Sequence, residues 1–159
     1  MARITANRFH TFCYGHRVVG HEGHCRMLHG HEGCVHFYCE ADSLDELGRV
    51  IDFSVIKEKL CMWLETEWDH KFLYWEKDNL MNQILSTHMP ELQSNEIQDL
   101  FDGTVKLSFN PTAENLANHL LTVVGPVRLK GTGVRLVKVV FEETRKCSVT
   151  CELGSLLIR

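Results

Sequence analysis

The stretch Cys25-Arg-Met-Leu-His29-Gly-His31-Glu-Gly-Cys34-Val-His36-Phe-Tyr-Cys39-Glu-Ala41-Asp42 carries both the strand pattern and the chemistry of this chain. From Cys34 onward, Val35, Phe37, Cys39 and Ala41 alternate with His36, Tyr38 and Glu40, a period near two that predicts a strand over 34–42. Just before it, His29 and His31 stand two residues apart, so in extended backbone both imidazoles project to one side, where one metal ion can hold both. Gly30 leaves the backbone between them unhindered. A third imidazole, His16 at the end of a strand expected over 3–14, would complete a three-histidine site. Three neutral ligands leave a coordination position open for water or substrate, the arrangement of a catalytic rather than a structural zinc. His21 and His24 compete for the third place, and a His-x-His pair also occurs on ordinary surfaces.

Outward from this stretch, Val18 to Leu28 is rich in Gly, His and Glu without an apolar period, and reads as a loop. Asp52 can cap a helix over 52–67 in which Phe53, Ile56, Leu60, Trp63 and Leu64 share a face. A second helix starts at Thr112 as N-cap, with Glu114 in its first turn, and runs on Leu116, Ala117, Leu120, Leu121 and Val124 up to Gly125. Val134 to Phe141 is rich in β-branched residues, and Cys147 to Ile158 carries a weaker strand pattern broken at Gly154. One short helix is expected within 72–109. The resulting order, β-β-α-α-β-β, predicts one α+β domain over 1–159. In it an antiparallel sheet has one face covered by helices and the other polar or buried against another subunit.

Composition narrows the function. The chain has 159 residues and a formal charge of −4, with 17 Lys+Arg against 21 Asp+Glu, so it lacks the basic surplus of a protein that works on a phosphate backbone. No apolar run is long enough to span a membrane. The polar, alternating start Met1-Ala-Arg-Ile-Thr-Ala-Asn-Arg8 points to the cytoplasm. Seven cysteines, an odd number with no Cys-x-x-Cys pair, suit a reducing compartment, and Cys39 and Cys61 fall on apolar faces expected to be core. The unusual feature is histidine: seven of the ten lie within the first 36 residues.

Other residues carry possible chemistry. Cys25, four residues before His29, is a base or nucleophile near a cation, a fourth metal ligand, or an idle loop thiol. Asp69-His70 follows the first helix, and a carboxylate beside an imidazole fixes its tautomer and raises its basicity. Glu143 continues the face of Val137, Val139 and Phe141 at the strand end. There it is either solvated or aimed into a pocket, able to accept two hydrogen bonds from an amidine-like edge such as that of a pterin or guanine.

Taken together, Phe12-x-x-x-His16, Cys25-x-x-x-His29-Gly-His31, Val50-Ile51-Asp52-Phe53, Asp69-His70, Pro111-Thr112-Ala113-Glu114-Asn115 and Glu143-Thr144 resemble the 6-pyruvoyl-tetrahydropterin synthase family from about Phe9 to about Cys151. Three residues between the cysteine and His-Gly-His are most similar to its bacterial 6-carboxytetrahydropterin branch. The resemblance implies a tunnelling fold: three subunits close a barrel, two rings stack into a homohexamer, and active sites lie at subunit interfaces.

It also implies zinc on His16, His29 and His31, a proton-abstracting Cys25 thiolate, and His70 oriented by Asp69 as second acid/base. Glu143, with Thr144 beside it, would anchor the pterin. Thr112 and Glu114 would shape a helix start. The implied substrate is 7,8-dihydroneopterin triphosphate, from which the carboxy branch releases triphosphate and acetaldehyde on the way to the 7-deazapurine of queuosine. The alternatives are a pyruvoyl synthase that keeps the side chain, or a zinc-dependent pterin-binding protein without turnover. Tyr14-Gly15, Tyr74, the long segment Trp75 to Phe109 and Thr150-Cys151 depart from the family pattern. Arg26, Lys71, Arg145 and Lys146 are candidate triphosphate contacts by charge and position alone.

Overall fold

A computed structural model of the chain describes residues 2–154. Strands β1 (Ala6–His16) and β2 (His29–Ala41) form an antiparallel hairpin in which Phe12 faces Gly33, Tyr14 faces His31 and His16 faces His29. The expected strand over 34–42 therefore begins five residues earlier and takes the His-x-His pair into its ladder. β5 (Val134–Thr144) pairs with the other side of β2, and β6 (Cys147–Glu152) with β5, both antiparallel. The part of the expected last strand that falls on 155–159 lies outside the described residues.

The expected helices form where their caps and stripes put them. α1 (Phe53–Ile56) starts on the Asp52 carboxylate, which accepts from the Ser54 N–H, and passes through a π-helical turn (Lys57–Cys61) into α2 (Met62–Glu67). α5 (Ala113–His119) starts on Thr112, whose hydroxyl accepts from the Asn115 N–H. It continues through a second π-helical turn to α6 (Gly125–Arg128). Ile56, Leu60, Leu64, Leu116, Leu120 and Leu121 pack against Phe12, Val35, Phe37, Cys39, Val139 and Phe141, so the helices cover one face of the sheet. Cys39 and Cys61 are both in this core.

The segment 72–109 differs from expectation. It holds β3 (Lys71–Trp75), α3 (Asn79–Ser86), α4 (Ser94–Asp102) and β4 (Thr104–Leu107) in place of one short helix. β3 lies parallel to β1, and β4 parallel to β3, so the sheet is mixed and six-stranded in the order β4-β3-β1-β2-β5-β6. Asp78 is the pivot of this insertion. Its buried carboxylate accepts from the Leu80 and Met81 N–H groups at the start of α3 and lies 3.0 Å from Arg17 Nε, next to His16. No described helix is long and apolar enough to cross a membrane.

Leu116 is fully buried between helix and sheet, so Leu116→Ala leaves a cavity and costs about 2–5 kcal/mol of stability, read as a shift in the urea unfolding midpoint.

Candidate metal centre and adjoining cavities

Three imidazoles converge where β1 ends and β2 begins. His16 and His29 are register partners, and His31, two residues on, stays on their side of β2. Ring centroids are 4.6 Å apart for His16 and His29, 5.1 Å for His16 and His31, and 4.9 Å for His29 and His31. One nitrogen from each lies within 4.8 Å of the other two.

Two of the rings are fixed through their far nitrogens. His16 Nδ1 lies 2.7 Å from the Pro111 carbonyl, and His29 Nδ1 lies 2.7 Å from the Met27 carbonyl. A carbonyl only accepts, so each Nδ1 carries the proton and each Nε2 presents a lone pair. His16 Nε2 is buried with no hydrogen-bond partner among the described residues, an unmet polar atom that a cation would satisfy. His31 Nε2 is also buried. It lies 3.1 Å from Glu143 Oε1, without the alignment of a hydrogen bond. This donor set fits a divalent transition metal.

Burial makes these rings ready ligands. It lowers the His16 pKa to about 4, against the Pro111 hydrogen bond, which raises it; His29 and His31 push it down further. Burial also lowers His31, although Glu143 opposes the shift. Both are neutral at pH 7, as ligation requires.

Glu143 stands at a bulge. Glu142 pairs with Ser148 and Thr144 with Cys147, which leaves Glu143 as the extra residue; the strand's alternation sets it on the Phe141 side, near His31. Glu143, Thr144, Arg145 and His31 line a cavity of about 510 Å³, together with Cys34 and Glu142. A second cavity, of about 660 Å³, is lined by His29, His31, His70 and Lys71.

His70 has a left-handed backbone (φ 57°), and its N–H donates to the Cys13 carbonyl. Its Nδ1 lies 2.6 Å from Asp69 Oδ2, while Asp69 Oδ1 accepts from the Cys13 N–H. Burial works to raise the Asp69 pKa, but the Cys13 N–H and the His70 ring outweigh it and hold the carboxyl below its usual range.

Cys25 sits in a single helical turn (His24–Arg26) of the β1–β2 loop and lines neither cavity. The geometry thus joins His16, His29, His31, Glu143 and Thr144 directly and His70 with Asp69 across a cavity, and leaves Cys25 apart. Arg145 and Lys71 line the cavities, whereas Arg26 and Lys146 do not.

Sequence reasoning gave Tyr14 no role. Its ring packs edge-on to His16 at 5.2 Å and tilted to His31 at 5.7 Å, and its buried hydroxyl has no partner among the described residues. Burial, with the Glu143 charge, pushes this phenol well up. Its place on the buried β1 face, two residues before His16, was the available signal.

Fold and site together define an α+β protein with three converging histidines able to hold a metal ion, beside a carboxylate-lined cavity. The sequence profile of the 6-pyruvoyl tetrahydropterin synthase family matches residues 5–153, and the chain belongs to that family. A 6-carboxy-5,6,7,8-tetrahydropterin synthase from Rickettsia felis is 31% identical over 146 residues, covering 92% of this chain and 98% of the relative. Among solved structures, an uncharacterized protein from Wolinella succinogenes superposes with a TM-score of 0.83 at 26% identity, over 97% of this chain and 100% of that one. The Caenorhabditis elegans 6-pyruvoyl tetrahydropterin synthase shares the fold, with a TM-score of 0.62 at 21% identity over 97% of this chain and 100% of its own. The expected α+β architecture is borne out, with the two parallel strands as its addition.

The buried imidazoles set a pH dependence. Between pH 6.5 and about 4 the unfolded chain protonates His16 while the folded chain does not, so unfolding takes up a proton and acid favours it. Chelator-treated protein is expected to lose on the order of 3 kcal/mol as pH falls through that window. Urea midpoints at pH 7 and pH 4.5 check this, and His16→Gln flattens the slope.

Proposed function

We propose that this chain is a zinc-dependent 6-carboxy-5,6,7,8-tetrahydropterin synthase, a lyase that converts 7,8-dihydroneopterin triphosphate to 6-carboxytetrahydropterin with release of triphosphate and acetaldehyde. The observation that carries the reading is the convergence of three histidine nitrogens, two of them locked by backbone carbonyls, beside a carboxylate at a cavity wall. Relatives named for this activity, matched along nearly their whole length, support it, and the reading places the reaction on the way to the 7-deazapurine of queuosine.

His16, His29 and His31 would hold zinc, which when bound makes the side-chain hydroxyls of the substrate more acidic. Glu143 accepts the 2-amino and N3 hydrogens of the pterin, with Thr144 beside it. Glu143 Oε1 lies 3.1 Å from His31 Nε2 without a hydrogen bond between them, so the carboxylate is available to the pterin while His31 offers its lone pair to an ion. His70 moves a proton at Nε2, because Asp69 fixes its Nδ1–H. The Cys25 thiolate takes the other proton as triphosphate leaves.

A complete site needs a second copy of the chain. The His70 side chain is 80% exposed and Cys25 lies outside both cavities. The outer strands β4 and β6 have one unpaired side each, and Phe9, Met27 and Leu28 are exposed. These features fit a barrel-forming ring and a homohexamer with interfacial sites. The free state of all seven cysteines fits the cytoplasm.

Zinc-loaded protein incubated with 7,8-dihydroneopterin triphosphate is expected to yield acetaldehyde and 6-carboxytetrahydropterin by mass spectrometry. A pyruvoyl product would replace this reading with the pyruvoyl synthase, and unchanged substrate would contradict both. Cys25→Ala and His70→Ala each lower kcat by about 10²–10⁴-fold. Glu143→Gln acts mainly on KM, by about 10–100-fold, having lost a charge-assisted pair. Size exclusion is expected to show six times the 18.3 kDa chain.

A further inference from the structure

β2 carries a second set of donors on its opposite face. Glu32, Cys34, His36 and Tyr38 alternate with His31, Gly33, Val35 and Phe37, and they point away from the helices. Cys34 stands directly across from Glu142 on β5, and His36 across from Val140. Three different donors meet as a result. Cys34 Sγ is 3.6 Å from His36 Nε2, and His36 Nε2 is 3.4 Å from Glu142 Oε2. One ligand atom from each lies within 4.8 Å of the other two.

We propose that Cys34, His36 and Glu142 form a second site for a divalent transition-metal ion, on the sheet face opposite the three-histidine centre. One sulfur, one imidazole nitrogen and one carboxylate oxygen favour a borderline-soft ion of the zinc class over calcium or magnesium, which take oxygen ligands. Three protein ligands leave a fourth position for water. The site is held from the β1 side as well. The Phe9 ring lies 5.4 Å from the His36 ring, limiting its rotation, and Thr11 is the β1 partner of Cys34.

Without an ion, burial and the hydrogen bond and charge of Glu142 push the Cys34 thiol up to about 11, so it stays protonated at neutral pH. A divalent cation among the three donors reverses that balance: the S–H bond breaks, the sulfur keeps the electron pair and donates it to the ion, and the proton passes to solvent. Each ion bound therefore releases the Cys34 proton. The bound ion also ties β2 to β5 one residue before the bulge at Glu143. The proposal rests on strand register and donor chemistry, not on the pterin reaction, although Cys34 and Glu142 also line the cavity that Glu143 lines.

The test uses the full chain, stripped with chelator, dialysed against Zn²⁺ or Co²⁺ and analysed for metal per chain. The expected result is two ions per chain, falling to one in Cys34→Ser and to one in His29→Ala. With Co²⁺, a sulfur-to-cobalt charge-transfer band in the near ultraviolet is expected in the wild type, Cys25→Ser and His29→Ala, and is lost in Cys34→Ser. Glu142→Gln, which keeps shape and the thiol, is expected to weaken binding at this site at least about tenfold. Circular dichroism checks that the variants fold. One ion per chain in the wild type overturns the proposal, as does a band that survives in Cys34→Ser or vanishes in Cys25→Ser.

Discussion

The register of β1 against β2 is the constraint on which everything else depends. A strand alternates faces with each residue, so a slip of one position would turn His29 and His31 away from His16 and expose Val35, Phe37 and Cys39. Burial of those side chains, worth about 1.5–3 kcal/mol for each large one, makes the slip prohibitive. The hydrophobic core thus sets the geometry of the metal centre. Gly30 belongs to the same constraint, since a Cβ there would stand 3.1 Å from the Tyr14 carbonyl oxygen of the neighbouring strand.

Around this hairpin, the remaining parts each contribute one fixed atom or direction. The Pro111 carbonyl, just before the cap of α5, sets the tautomer of His16, so the second helix helps to build a site formed by strands. Alternation along β5 sets Glu143 on the helix-bearing side, where the bulge leaves it unpaired with β6, and Glu142 on the open side. Two adjacent carboxylates are thereby divided between two clusters on opposite faces of one sheet. Arg17, paired with the buried Asp78, anchors the end of β1 to the insertion at the point where His16 leaves the strand.

Much of this was legible in the sequence. The alternation at Val35, Phe37 and Cys39, the helical stripe of Ile56, Leu60 and Leu64, and the Thr112 cap are local patterns, and local patterns are what a sequence displays directly. The His-Gly-His spacing placed two imidazoles on one side for the same reason. What escaped depends on partners far away in the chain. Lys71–Trp75 is short, without periodicity, and becomes a strand only because the end of β1 offers it a parallel edge. α3 and α4 are short, of eight and nine residues, and α4 is rich in polar and acidic residues, so neither shows a long apolar stripe of its own. The Pro111 and Met27 carbonyls were invisible as ligand-positioning groups, since any residue type supplies a carbonyl. Cys34-x-His36 had the spacing of two that marks a shared face, but its third member comes from a strand 106 residues further on, and only the β2–β5 register brings it alongside.

The central claim is that three histidines held by the β1–β2 register bind one metal ion through their Nε2 atoms. The most direct measurement is a crystal structure of the zinc-loaded protein with anomalous diffraction recorded at the zinc edge. The account predicts an anomalous peak bonded to Nε2 of His16, His29 and His31, each bond about 2.0–2.1 Å long, with the Pro111 and Met27 carbonyls still accepting from Nδ1 of His16 and His29. No peak among these three rings, or an ion held through Nδ1, would contradict it.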